Sequence, residues 1–148
     1  MIEEQKKGTL LVLSGPSGVG KNTLIDMFLN RNKDIRYSIS ATTRKPRNHE
    51  KDNIDYYFLS QEQFCNMIEE EAFLEWAEFC GNYYGTPIKP IEEALADGYD
   101  VIMDIEIQGA KQVSEKWPQA VLIFLVPPSL EELARRIKNR KTETSEEI

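Results

Sequence analysis

The amino-acid sequence predicts an α/β fold: a parallel sheet flanked by helices, into which a smaller mixed α+β lobe is inserted. Three observations predict it. Apolar runs at residues 9–14 (TLLVLS), 101–105 (VIMDI) and 121–126 (VLIFLV) read as strands buried inside a sheet. Segments of helical period follow the first and last of these runs, and buried strands alternating with helices imply parallel pairing. The middle third has short alternating strands and helices of its own, which marks it as a lobe within one domain rather than a continuation of the core.

Each element has its local reason. The first strand stops at GPSGVG (residues 15–20), too rich in Gly and Pro to extend a strand. From Lys21 to about Asn30 the period is helical, with Leu24, Met27 and Phe28 as the expected apolar stripe. Ile35, Tyr37 and Ile39 alternate with polar neighbours and predict a strand over residues 35–40. Residues 42–53 (TTRKPRNHEKDN) are polar and carry a proline, so they predict a loop. Residues 56–59 (YYFL) read as a strand, and SQEQ at 60–63 is a capping-box signature. It opens a helix to about Glu71 that buries Phe64, Met67 and Ile68. Residues 73–79 (FLEWAEF) predict a bent strand, because Phe73, Trp76 and Phe79 cannot share one face with full regularity. Thr86 and Pro87 fit the N-cap and first position of a helix to about Asp97. SLEE at 129–132 is a second capping box, opening a helix to about Arg140.

Composition narrows the function. The 148 residues carry 18 basic and 25 acidic side chains, a net charge of −7, which argues against a nucleic-acid partner that needs clustered Lys and Arg. It leaves room for a nucleotide, which needs only a local cationic pocket. No apolar run approaches the ~18 residues of a membrane span, and the N-terminal MIEEQKKG has no apolar leader segment, so a soluble cytoplasmic protein without a membrane partner is expected. The two cysteines, Cys65 and Cys80, match no metal-ligand spacing.

GPSGVGK at residues 15–21 fits the phosphate-loop pattern G-x-x-x-x-G-K in the strand–loop–helix context that the pattern requires. Glycines let several backbone N–H groups point into one concavity that accepts phosphate oxygens, and the helix beginning there adds partial positive charge. The expected phosphate set is Gly15, Pro16, Ser17, Gly18, Val19, Gly20, Lys21, Asn22 and Thr23, with Lys21 as the mobile cation. The competing reading is a glycine-rich turn with a solvated lysine. Asn22 stands where a Mg²⁺-binding Ser or Thr usually follows the lysine; an amide oxygen ligates Mg²⁺ less readily than a hydroxyl there. Asp104 ends the run VIMD, and an acid at the end of a buried strand beside a phosphate loop is placed to hold Mg²⁺ or its waters. A sheet-edge acid in a turn is the alternative. Arg44 and Arg47 are three apart across Pro46, so two guanidinium forks can converge on one phosphate, with Tyr56 and Tyr84 as hydroxyl donors; solvated arginines and packed rings are the bland reading of each.

Seven segments bear a family resemblance: GPSGVGK (15–21), SATTRKPR (40–47), DYYF (55–58), FLEWA (73–77), GNYYGT (81–86), DIEIQG (104–109) and RKTET (140–144). Their order and spacing resemble guanylate kinase, a P-loop NTPase fold, over nearly the whole chain from residue 9. The resemblance implies Mg²⁺-dependent transfer of the ATP γ-phosphoryl group to GMP, giving ADP and GDP. It implies that Arg44, Arg47, Tyr56 and Tyr84 hold the GMP phosphate, and that Ser40, Glu75, Thr86 and Glu106 read the guanine. A carboxylate such as Glu75 matches the adjacent N1–H and 2-amino donors of guanine, whereas adenine would leave it unpaired. Glu106 stands where the family usually has Asp. Arg136 and Arg140 would be lid arginines that neutralise charge on the transferring group, and with Lys21 and Arg44 they form the expected catalytic set. Lys141 replaces a glycine expected after Arg140.

The resemblance also divides the chain: 1–36 as core with phosphate loop, 37–95 as GMP-binding lobe, and 96–148 as continued core and start of a lid within which the chain ends. The partners implied are GMP and ATP, and nothing in the sequence indicates an oligomeric state. A non-catalytic guanylate-kinase-like protein-binding module is the alternative function; it characteristically has a degraded phosphate loop, whereas Gly20 and Lys21 are present here. Another nucleoside monophosphate kinase is disfavoured by Glu75 and the Arg44/Arg47 loop.

Overall fold

A computed structural model describes residues 7–16, 20–126, 129, 131 and 135. Its first sheet has the order β2-β7-β1-β8, formed by β1 (Leu10–Ser14), β2 (Ile35–Tyr37), β7 (Asp100–Asp104) and β8 (Val121–Phe124). All three pairings are parallel, as expected of strands joined by helical crossovers. α1 (Lys21–Arg31) follows β1, α3 (Ile88–Ala96) precedes β7, and α4 (Ile107–Lys116) joins β7 to β8. One side of the sheet packs Leu10, Val12, Val101 and Met103 against Ile91, Leu95, Ala110 and Val113 of α3 and α4. The other packs Leu13 and Ile102 against Ile25 of α1.

The second sheet has the order β4-β3-β6-β5, from β3 (Ala41–Thr42), β4 (Tyr57–Phe58), β5 (Phe73–Phe79) and β6 (Asn82–Pro87). β5 and β6 form a hairpin whose two turn residues, Cys80 and Gly81, both have positive φ (51° and 81°), the backbone that a tight right-twisted hairpin requires. α2 (Gln61–Glu69) seals this sheet through Phe64, fully buried with its ring 4.3 Å from that of Phe73. Successive residues of a strand face opposite ways, so β5 serves both bodies: Phe73 joins the lobe cluster and Leu74 the main core.

Several local expectations are corrected. In α1 the buried position is Ile25, flanked by Leu24 and Leu29, whereas Met27 and Phe28 are exposed; the helix is rotated so that its 25/29 edge meets the sheet. The strand expected over 35–40 is in register with β7 only from Ile35 to Tyr37, and the loop expected from Thr42 loses that residue to β3. Thr86 does not cap α3. It lies in β6, and the capping residue is Pro87. The run at 121–126 is not buried on both faces: among the described residues β8 is an outer strand paired only with β1, and Val121, Phe124 and Val126 are exposed. The helix expected over 129–140 falls almost wholly outside the described residues. No described helix is long and apolar enough to cross a membrane.

Candidate active site

The candidate donor side is built at the C-terminal end of the first sheet. β1 delivers the chain to the phosphate loop, and β7 pairs beside it with Leu13 opposite Asp104, so loop and acid emerge from adjacent strand ends. α1 begins at Lys21 behind Gly20, whose φ of 103° is a left-handed value that disfavours any side chain. Lys21 and Asp104 then meet: Nζ stands 3.1 Å from Oδ1, with both side chains 19% exposed. Asn22 and Thr23 are exposed in the first turn of α1, and Gly15 and Pro16 continue from the strand. Ser17, Gly18 and Val19 lie outside the described residues, as do Arg136, Arg140 and Lys141. Tyr37, at the end of β2 and 44% exposed, has its phenol raised to about 12 by partial desolvation first and then by the charges of Asp104 and Tyr56.

The candidate acceptor side lies on the second sheet. Glu75 of β5 and Thr86 of β6 are paired in register, and the Thr86 hydroxyl donates to Glu75 Oε1 at 2.6 Å. Both residues are buried, Glu75 at 8% exposure and Thr86 at 2%. Burial pushes the Glu75 carboxyl above its ordinary range; the Thr86 bond opposes this, the Glu106 charge adds to it, and Lys116 opposes it. Glu106 is the exposed capping residue of α4 and makes no side-chain cap bond, leaving its carboxylate unengaged by the helix. Ser40 lies immediately before β3, so the Ala41–Gly85 register continued by one residue sets it opposite Thr86.

Arg44 has a partner that the sequence did not reveal. Its two terminal nitrogens donate to both carboxylate oxygens of Glu50 at 2.7 and 2.8 Å, and the Arg47 backbone N–H donates to the same carboxylate at 2.8 Å. The Arg44 bond first, then the Arg47 backbone, lower Glu50 to about 2. The same bond raises Arg44 further above its usual range. Its guanidinium lies 4.9 Å from the Tyr56 ring centre, a cation–π contact that fixes the plane of the fork. Arg47 is exposed, and Tyr84 is half-buried on β6 across from Thr42. The structure therefore brings together Lys21 with Asp104, Glu75 with Thr86, and Arg44 with Tyr56, and adds Glu50.

Known proteins agree with this architecture. The guanylate kinase family profile matches residues 7–148. A guanylate kinase of Desulfitobacterium hafniense is 57% identical over 145 residues, covering 98% of this chain and 72% of the relative. One of Prochlorococcus marinus subsp. pastoris is 55% identical over 139 residues, covering 94% and 76% respectively. The crystal structure of guanylate kinase from Anaplasma phagocytophilum superposes with a TM-score of 0.68 at 39% identity, covering 90% of this chain and 67% of that one. The chain is shorter than these relatives, and it belongs to the guanylate kinase family of ATP:GMP phosphotransferases.

Proposed function

We propose that this chain carries out the family's reaction, Mg²⁺-dependent transfer of the γ-phosphoryl group of ATP to GMP, giving ADP and GDP. The donor site is the phosphate loop at the C-terminal end of the first sheet, and the acceptor site is the lobe within residues 37–95. The remainder, 1–36 and 96–148, supplies the core and the start of the lid. Both substrates are soluble nucleotides, which suits a cytoplasmic enzyme.

The observation that carries this reading is the buried Glu75–Thr86 pair. A carboxylate taken out of water is costly unless its acceptors are satisfied, and one hydroxyl leaves most of its capacity open. Guanine offers two adjacent N–H donors in the geometry that a carboxylate accepts; adenine presents an acceptor instead. In this assignment Ser40, Thr86 and Glu106 complete the base pocket, while Arg44, Arg47, Tyr56 and Tyr84 bind the acceptor phosphate. Glu50 keeps the Arg44 fork flat and in place before the phosphate arrives, so little ordering remains to be done on binding.

On the donor side Lys21 binds the phosphates, and its Asp104 contact holds the ammonium over the strand ends in the meantime. Asp104 and Asn22 fit Mg²⁺, which keeps several waters, shares phosphate oxygens and needs only one or two protein ligands. When bound, the ion neutralises charge on the phosphates. The acceptor phosphate oxygen attacks in line through a loose transition state. Side chains thus position and stabilise, and none must act as a strong base or form a covalent intermediate. Arg136 and Arg140 are assigned the closing role of lid cations.

Calorimetric titration with GMP and AMP in parallel tests the acceptor assignment, with selective GMP binding expected. Equal binding of the two by folded protein would remove the role given to Glu75. Lys21→Met should lower phosphoryl transfer by about 10²-fold or more while GMP affinity stays near wild type, as for loss of one transition-state charge contact. Unchanged transfer would return the protein-binding-module reading.

A further inference from the structure

β5, which carries Glu75, is the outermost strand of its sheet among the described residues, so one side of its backbone has no described strand to pair with. α4 supplies the missing partners. The Gln112 side-chain amide treats Trp76 as a neighbouring strand would: Oε1 accepts from the Trp76 N–H at 3.2 Å, and Nε2 donates to the Trp76 carbonyl at 3.3 Å. One turn later the Lys116 ammonium donates to the Phe73 carbonyl at 2.9 Å. One turn earlier Gly109 lies so close that a Cβ there would stand 3.1 Å from Glu75 Oε2. Positions 109, 112 and 116 share one helical face. The adjoining positions, Ala110 and Val113, are buried in the main core. The strand bearing the carboxylate is thereby fastened to the rigid core on either side of Glu75, by side chains rather than by strand pairing.

We infer that Gln112 is a positioning residue for acceptor selection: by gripping the Trp76 backbone it fixes the depth at which the Glu75 carboxylate stands in the base pocket, with Gly109 leaving the space that the carboxylate needs. This rests on the acceptor site proposed above. An amide suits the task because it offers a donor and an acceptor side by side without charge. A thioether of similar length fills the same space and offers neither in useful strength.

The test is titration of the wild-type chain, Gln112→Met, Gly109→Ala and Glu75→Gln with GMP and with inosine monophosphate. The latter keeps the phosphate, ribose and N1–H of GMP and lacks only the 2-amino donor. The ratio of the two affinities therefore reads the part of the base contact that is made to the 2-amino group. Gln112→Met should reduce the GMP preference about tenfold, the scale of one misaligned charge-assisted bond. Gly109→Ala should reduce it as well, because its methyl group would press on the Glu75 carboxylate. A bracing role confined to stability would lower the melting temperature of Gln112→Met and leave the ratio unchanged, which overturns the inference. If Gln112→Met does not fold, an unchanged ratio in Gly109→Ala overturns it instead. Glu75→Gln separates the two levels. A collapsed ratio there, with normal ratios in both other variants, rejects only the Gln112 role. A normal ratio in Glu75→Gln rejects the acceptor-site reading and this inference together.

Discussion

Glu75 is held at a cost to the fold. Burial raises its pKa, so in the interval above the ordinary carboxylate value the folded chain binds more protons than the unfolded chain. Stability therefore falls as pH rises through that interval, and the penalty is complete above the folded pKa. Glu75→Gln keeps an oxygen for the Thr86 hydroxyl and removes the charge. Without ligand it should be more stable than wild type at about pH 7 and lose that advantage at about pH 4, below the ordinary glutamate value. It should bind GMP about 10- to 100-fold more weakly, the scale of a lost bond to a charged group. Denaturant melts at the two pH values and a GMP titration check this. A less stable variant at neutral pH would mean that Glu75 is structural. Arg44 behaves differently: its charge is paired before any ligand binds, so Glu50 favours the ionised pair down to about pH 2. Lys21 and Arg44 were legible as candidate phosphate-binding cations by motif and spacing, and Glu75 as a candidate through the family resemblance. The partner of Arg44 was not, because a glutamate six residues away in a polar loop has no periodicity to betray it.

The elements divide by how local their causes are. α2 is local: Ser60 accepts from the Gln63 backbone N–H and Gln63 reaches back to the Ser60 N–H, so both halves of its capping box are present. Ser60→Ala should cost about 1 kcal/mol, read as a shift in urea midpoint without a change in slope; no shift would mean that Phe64 packing alone holds this helix. β1 and α1 are also local, set by an apolar run, a left-handed glycine and a change of period. β6 and α4 are not. NYYGTP carries a glycine, a proline and two half-buried tyrosines with no clean alternation, and it becomes a strand because the Cys80–Gly81 turn lays it along β5. α4 opens at Glu106 with no side-chain cap bond, so nothing short-range announces it. Its stability comes from Ala110 and Val113 in the core. Thr86 shows the same competition: its sequence context suits a helix cap, yet the pairing with Glu75 claims its hydroxyl.

In the whole molecule the two sheets are stitched by β5, whose Phe73 and Leu74 belong to different clusters, and by α4, which grips the outer edge of β5. Binding at the acceptor lobe is therefore felt by the core. GMP at 100 times its dissociation constant should raise the unfolding free energy by about 2.7 kcal/mol in one cooperative transition. A thermal melt in which only part of the signal shifts would show instead that lobe and core unfold separately. The fold class and the phosphate loop with its helix were legible in short-range patterns, namely apolar runs, glycine spacing and a lysine at a fixed place, whereas the candidate acceptor residues were picked out through the family resemblance. Tertiary structure alone sets the Lys21–Asp104 contact, the outer place of β8 among the described strands with Val121 and Phe124 exposed, the Arg44–Glu50 pair, and the grip of Gln112 on the backbone of β5. Except for the Arg44–Glu50 pair, which closes within one loop, these features depend on sheet register and helix packing, and long-range pairing leaves no mark in the local order of residues.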